Sequence, residues 1–565
     1  MKKLWKLSKV SDPEIVNNLA RDLSVSVMVA ELLVKRDIHT FKEAKLFFRP
    51  QLEDLINPFL MKDMDNATNK IKQSIKNNEK IMVYGDYDVD GTTSVALMYS
   101  YLIKQKANVI YYIPDRYKEG YGLSLDGVEK AKEEKVSLII IIDCGIKAIK
   151  QIEIANKYKI DTIICDHHKP GKILPNAKAI LNPKQRGCDY PYKHLCGCGI
   201  GFKLIQAMEI QKEQNLNFIL EYLDLVAIAI CADIVPMTGE NRVLTFLGLQ
   251  LINKNIRPGL YPFFKEKKNK IDVSDLIFTI APRINAAGRM KHGKYAVELL
   301  ICKEENQIHS KARAIEILNS ERKLLDKKTT KEAIDQVETL SESKKAATVV
   351  FRPDWHKGVI GIVASRLIEQ YYRPTVVLTK SGDNYSGSVR SVRGFDIYEV
   401  LLSCADHMIQ FGGHKYAAGL TLSPYKYSDF KRAFEKEVLN IITHDQKTPS
   451  IIYDIETTLD NFDFSLFRII NQMSPFGPNN SKPIFLIKNC KDNGFSKLVG
   501  AEKNHLSFGI KDEKETNFYG IGFEMGEHIS RIKMMERFSI LVQLQENKYN
   551  GKSKLQLLVK DIYFE

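Results

Sequence analysis

The chain has 565 residues, and at one domain per ~150 residues a single core is excluded and three or four units are expected. Lysine and arginine number 83 against 69 acids, a formal net charge of +14, and 44% of residues are hydrophobic; a globular chain of this basic balance suits a polyanionic partner such as nucleic acid, although charge alone identifies none. No apolar run approaches the ~20 residues of a spanning helix, and MKKLWKLSKVSDPE lacks an apolar stretch behind its basic residues, so a cytoplasmic protein without a membrane segment is expected.

Residues 1–75 form an N-terminal helical extension. From Lys80, short apolar runs alternate with helical stretches: IMVYGD, the helix TTSVALMYSYLIKQKA, NVIYYIP, a helix over 125–134, SLIIIID, a helix reaching Tyr158, and DTIICD. Continuous apolar strands separated by crossover helices predict a parallel sheet covered on both faces, in an α/β domain spanning 76–300. Ligands of such sheets sit beyond the carboxyl ends of the strands. Acids stand at those ends here: Asp86, Asp88 and Asp90 after VYG, Asp143 after the isoleucine run, and Asp166 with His167 and His168 after TIIC. The nine cysteines fit a reducing compartment, with Cys144, Cys165 and Cys231 inside apolar stretches. Cys188, Cys196 and Cys198 near His194 do not have a usual zinc spacing, and CGCGIGFKL reads as a tight glycine turn opening a helix.

A charged helical stretch over 306–342 predicts a connecting helix, placed at 301–345. A second, smaller α/β domain is expected at 346–448, from ATVVFRP, the helix GVIGIVASRLIEQYY, the strands TVVLTK and NYSGSVRS, and QFGGHKYAAGLTL. Beyond it, six short strand-like runs predict a β-barrel or sandwich at 449–565, an oligonucleotide-binding barrel being one candidate. Residues 451–565 hold 15 acids and 15 bases, so the basic excess lies upstream.

Three carboxylates at alternate positions of GDYDVDGTTS repel one another unless cations join them, and oxygen ligands of this kind favour Mg²⁺ or Mn²⁺. DxDxDG also opens a calcium loop, but here a strand precedes it and no later Glu ligand follows. Asp143 and Asp166-His167-His168 would join the first cluster on one rim of the sheet, and mixed carboxylate and imidazole ligation is typical of Mn²⁺ or a two-metal centre. Asp233, in AIAICADIVPM, reads equally as a helix cap or a ligand.

DYDVDG, the strand-terminal Asp143, DHH at 166–168 and ADIVP at 232–236 occur in the order seen in the DHH phosphoesterase superfamily. APRINAAGRM, GVIGIVASRL, SVRGFD and FGGHKYAAG resemble further motifs of its RecJ branch, so the resemblance covers about 80–420, with continuation toward the C-terminus. It implies a DHH domain, a DHHA1 domain and a 5′-to-3′ exonuclease specific for single-stranded DNA, acting in repair and recombination. It also implies metal ligands Asp86, Asp88, Asp90, Asp143, His167 and Asp233, with Asp143 bridging and His168 nearer the scissile phosphate; Asp143, His167 and His168 are the expected catalytic residues. Relatives such as the family II pyrophosphatases place a histidine where Tyr84 stands, as it does in other RecJ-like chains, so one metal would be held more loosely.

Two cations ~4 Å apart acidify a water, orient it and neutralise the leaving oxygen, so no side-chain nucleophile is needed. Phosphates of a threaded strand would be bound by Arg283, Asn285, Arg289, Arg366, Ser386, Arg390, Gly412, Gly413, His414 and His168, and Tyr117 and Tyr121 can stack bases. Single-stranded DNA is the expected partner, with a single-strand-binding protein and a helicase as candidate protein partners and a monomer as the default. One rival is a phosphoesterase for small substrates such as nanoRNA, 3′-phosphoadenosine or cyclic dinucleotides; the extra ~115 residues of β-rich chain argue against it, because such enzymes need only two α/β domains. The other is a catalytically dead scaffold, which would be expected to have lost ligands that are all present here.

Overall fold

Five short runs of β-branched and apolar residues build the first sheet of the computed structural model, which describes residues 3–213, 216–267, 269–339, 345–534, 536–549 and 551–564. They are β1 (Ile81–Gly85), β2 (Val109–Tyr112), β3 (Leu138–Ile142), β4 (Asp161–Cys165) and β5 (Ala179–Leu181). All pair in parallel, in the order β2-β1-β3-β4-β5. Every residue of β1 and β3 is buried, as expected for strands covered on both faces. β5 has only three residues, too few for a periodicity, and was not among the expected strands. After β1 the chain crosses to β2 on one side and returns to β3 on the other, so the sheet's switch point lies between β1 and β3, where a crevice opens at the carboxyl ends.

The helices that frame this crevice are α1 (Val89–Lys104), α2 (Leu125–Glu133), α3 (Ile149–Lys157), α4 (Gly197–Ile210) and α5 (Leu223–Ala232). α4 and α5 are apolar almost all round and bury nearly every residue, so they run through the interior rather than along its surface. CGCGIGFKL does open a helix: Cys196 is its N-cap, its sulfur accepting from the Gly199 amide. None of the nine cysteines is joined in a disulfide. APRINAAGRM forms α6 (Ala281–Met290), and the expected connector is α7 (Glu305–Thr339), one helix of 35 residues. The end of the expected helix, at 340–342, lies outside the described residues.

A mixed sheet follows, with β6 (Thr348–Phe351), β7 (Thr375–Ser381), β8 (Asn384–Arg390), β9 (Gln410–His414) and β10 (Ala417–Leu422) in the order β9-β10-β8-β7-β6. Only β6 and β7 are parallel, joined by the crossover helix α8 (Ile360–Tyr371). The two sheets belong to one compact unit, made of Pro58–Asp233 and Leu251–Pro449 with Met1–Leu4.

The second unit comprises Trp5–Asn57, Ile234–Gln250 and Ser450–Glu565. Its sheet orders β11 (Ile455–Glu456), β12 (Phe485–Asp492), β13 (Lys497–Val499), β14 (His505–Lys511), β15 (Asn517–Gly522), β16 (Phe538–Tyr549) and β17 (Lys552–Phe564) as β11-β12-β16-β17-β15-β14-β13. Two residue pairs, Lys491–Lys511 and Asp492–Ile510, bring β12 round to β14 and part-close a five-stranded barrel. The sequence reading of six strands missed the three-residue β13 and the amphipathic helix Phe464–Gln472. The N-terminal helices Pro13–Leu23, Val27–Val34 and Phe41–Phe48, capped by Asp12, Ser26 and Thr40, share the barrel's core: Leu19, Leu32 and Leu33 are buried with Phe467, Phe485, Phe508 and Phe538. No helix among the described residues is long and apolar enough to cross a membrane.

Candidate metal centre

Each acid of the centre is placed by a chain reversal at the end of a buried element. Asp86 follows β1, Asp88 is the N-cap of α1 and accepts from the Gly91 amide at 3.0 Å, and Asp90 lies in the first turn of α1. Asp143 follows β3 in a left-handed conformation (φ 66°) that Asp tolerates better than most residues, and its amide donates to the Cys165 carbonyl at 2.9 Å. His167 and His168 follow β4, and Asp233 is the C-cap of α5.

These reversals converge on His167. Its Nε2 lies 3.3 Å from Asp143 Oδ1, 3.7 Å from Asp233 Oδ2 and 3.9 Å from Asp90 Oδ2. One potential ligand atom each from Asp90, His167 and Asp233, and likewise from Asp143, His167 and His168, lies within 4.8 Å of the others. Both Asp86 oxygens, His167 Nε2 and Asp233 Oδ2 are buried without a hydrogen-bond partner. Burial and then repulsion from neighbouring acids push the carboxyls of Asp86, Asp143 and Asp233 well above the usual range. Burial also raises Asp90, against the pull of His167 and of the Gly197 and Cys198 amides, which donate to it at 2.6 and 2.8 Å from the N-terminus of α4. Burial, aided by His168, lowers His167 to about 4, so its imidazole is neutral at physiological pH. Crowded acids, a neutral imidazole and orphaned oxygens form a donor set that hard divalent cations satisfy.

His168 is held differently. Its Nδ1 lies 2.7 Å from Asp166 Oδ1, and its amide donates to the same oxygen at 3.0 Å. Burial would raise Asp166, but the hydrogen bond and charge of His168 hold it down to about 2, while the same carboxylate outweighs burial and raises His168. Two residues that sequence reasoning missed fix this turn: Asn182 Nδ2 donates to the His168 carbonyl at 2.9 Å, and Lys184 Nζ donates to that of His167 at 2.5 Å. Their only sequence signal is a position just after β5.

Asp86, Asp88, Asp90 and Asp233 line a cavity of about 310 Å³ that is also lined by Arg116, Tyr121, Asn285 and Arg289. Arg289 donates to the Gly358 carbonyl at 3.0 Å, and burial, then the charges of Arg116, Arg390 and Arg322, lower its pKa to about 9. Arg390, at the end of β8, is lowered by burial and Arg116 and donates to Ser388 Oγ at 3.1 Å. A cluster of cations that depress one another is a site for an anion. Arg116, which sequence reasoning passed over inside DRYKEGYGLS, stacks over Tyr87 at 4.7 Å.

The remaining candidates divide. The His414 ring stacks on His168 at 5.9 Å with 14° between the planes, and Gly412 and Gly413 share its strand β9. A side chain at Gly413 would put its Cβ 2.4 Å from the Ala417 carbonyl oxygen. Ser386 is buried in β8, paired across to Thr379 and Thr421. Arg283 instead pairs with Glu316 at 2.6 Å, and Arg366 grips Asp326 with two bonds of 2.9 and 2.8 Å, so both guanidinium groups are already neutralised by α7. Tyr117 donates to the Arg289 carbonyl, and Tyr84 is buried with its hydroxyl donating to the Gly122 carbonyl at 2.8 Å.

A family model described as the DHH family, N-terminal domain, matches residues 80–230, a DHHA1 domain matches 343–440, and a RecJ OB domain matches 453–561. The single-stranded-DNA-specific exonuclease RecJ of Bacillus subtilis is 38% identical over 562 residues, 99% of this chain and 70% of that protein. The chain belongs to the RecJ family. RecJ from Thermus thermophilus, solved in complex with Mn²⁺, matches with a TM-score of 0.86 over 99% of this chain and 79% of that one, at 24% identity. Another RecJ exonuclease structure, bound to manganese, is 30% identical and matches with a TM-score of 0.61 over 69% of this chain and 97% of that one.

Proposed function

We propose that the chain is a metal-dependent exonuclease that hydrolyses single-stranded DNA from the 5′ end, acting in repair and recombination in the cytoplasm as a monomer, with a single-strand-binding protein and a helicase as partners. The observation that carries this reading is one cavity lined both by a crowded acid cluster and by Arg116 and Arg289. Asp86, Asp88, Asp90, Asp143, His167 and Asp233 would hold Mn²⁺ or Mg²⁺, the ions present in the RecJ structures of Thermus thermophilus. The chemistry such ions supply is neutralisation of phosphate charge and acidification of water. Arg116, Arg289 and Arg390 with Asn285 bind phosphate oxygens, and His168, braced by Asp166, contacts the scissile group. Polarity, and DNA over RNA, rest on the likeness to RecJ exonucleases.

The test is digestion of a long single strand labelled at either end, with Mn²⁺, by the wild type and by Asp143→Asn, since Asn keeps the left-handed backbone of that position. Mononucleotides are expected from the 5′ end, from the wild type alone. A surviving long strand beside cleaved dinucleotides or short RNAs would transfer the substrate to the small-substrate rival, and a strand bound but uncut would make the chain a scaffold.

A further inference from the structure

His168 is braced on a second side by a hydroxyl from the loop that follows β2. Tyr121 Oη lies 3.0 Å from His168 Nε2 and 3.5 Å from the Asp143 carbonyl oxygen. Tyr121 is 57% exposed; its ring meets those of Tyr87 and His168 edge-on, and its hydroxyl is turned inward to those two atoms. The loop is built for that turn. Gly120 and Gly122 on either side are both left-handed, φ 85° and 87°, and a Cβ at either would meet nothing within 4 Å, so backbone conformation rather than space calls for glycine there. The far side of the loop is pinned by buried Tyr84, whose hydroxyl donates to the Gly122 carbonyl at 2.8 Å and accepts from the Ser124 amide at 3.0 Å. With Nδ1 directed to Asp166, the Tyr121 hydroxyl lies within hydrogen-bond distance of the remaining ring nitrogen, and His414 stacks on the ring's face. Both nitrogens and one face of the imidazole are thereby determined.

We propose that Tyr121 is a positioning residue, whose hydroxyl holds the His168 ring through Nε2 in the orientation from which it meets the scissile phosphodiester. The inference rests on the phosphodiesterase reading of the site. It differs from base stacking in the atoms used, because a stacking tyrosine acts through its ring and keeps its effect as phenylalanine.

Kinetics on a 5′-phosphorylated single strand with Mn²⁺ would compare the wild type with Tyr121→Phe, Tyr121→Leu, His168→Gln and the Tyr121→Phe/His168→Gln double variant, the last two by single turnover with enzyme in excess. Tyr121→Phe is expected to melt as the wild type, to keep KM and strand affinity, and to lower kcat ~10- to 100-fold, the usual loss when a bond that orients a site residue is removed. In the His168→Gln background the same change should alter the rate by less than about twofold, because the interaction it removes is already gone. An unchanged kcat, a raised KM alone, or the full loss persisting without His168 would overturn the proposal. A wild type that cuts no strand would refute the phosphodiesterase reading instead, and the crystal structure of Tyr121→Phe would still decide the positioning role: His168 should leave its present rotamer, and an unmoved ring would overturn it.

Discussion

At the scale of single residues, the centre stores a titration conflict. The carboxyls of Asp86, Asp90, Asp143 and Asp233 are raised above their ordinary value of 3.8, so without metal the folded state loses stability as pH rises from 3.8 toward their folded values. His167, lowered from 6.5 to about 4, works the other way and costs stability as pH falls through that window. Asp166, held at about 2, contributes stability above 3.8 that is lost as pH falls toward 2. Cations and protons compete for the same raised carboxylates and for His167. The rise in Tm on adding Mn²⁺ is therefore expected to be largest near ~pH 8 and to shrink toward ~pH 5, in thermal melts run against a chelated control. An increment independent of pH would remove these groups from the metal site. Asp86, Asp143, Asp166 and Asp233 were legible in the sequence because each follows an apolar run. The neutralisation of Arg283 by Glu316 and of Arg366 by Asp326 was not, because those partners lie 33 and 40 residues away and meet only through α7.

At the scale of elements, the N-terminus of α4 is the least obvious contributor to the centre. Its first amides hold both oxygens of Asp90, using free N–H groups and the positive end of the helix dipole. This contact is close because residue 197 is glycine: a Cβ there would lie 2.5 Å from Asp143 Cβ and 2.7 Å from its Cα. Gly197→Ala is expected to cost ~1–3 kcal/mol by overpacking and to weaken Mn²⁺ binding ~10- to 100-fold, read by thermal melts and calorimetric titration. Wild-type affinity in this variant would show that α4 does not position the acids. The sequence reading placed a glycine turn opening a helix here, which local pattern can show, but it had no means of seeing that the turn abuts Asp143, since that contact spans two elements.

At the scale of the whole molecule, the second unit depends on one buried cation. Arg242 donates five hydrogen bonds to four carbonyls, two to Phe47 and one each to Met473, Ser474 and Pro475, and stacks 3.7 Å from the Phe47 ring centroid. Burial, reinforced by Arg36, lowers its pKa to about 9. Arg242→Leu strands those carbonyls and is expected to cost ~3–5 kcal/mol. Hydrogen exchange should show protection lost at 41–48 and 473–475 and kept in β1–β5; uniform loss over the chain would mean that the two units do not unfold separately. By itself the sequence determined the order of strands and helices from β1 to β4 and from β6 to β8, the β character of the C-terminal region, and the strand ends that carry Asp86, Asp143 and Asp166, because apolar periodicity and chain reversals are local properties. Tertiary structure alone decided that the N-terminal helices share the barrel's core, which arginines remain available to an anion, and that Tyr121 and the α4 amides reach the centre. Each of those depends on which distant segment arrives at a given surface, and no local period encodes that.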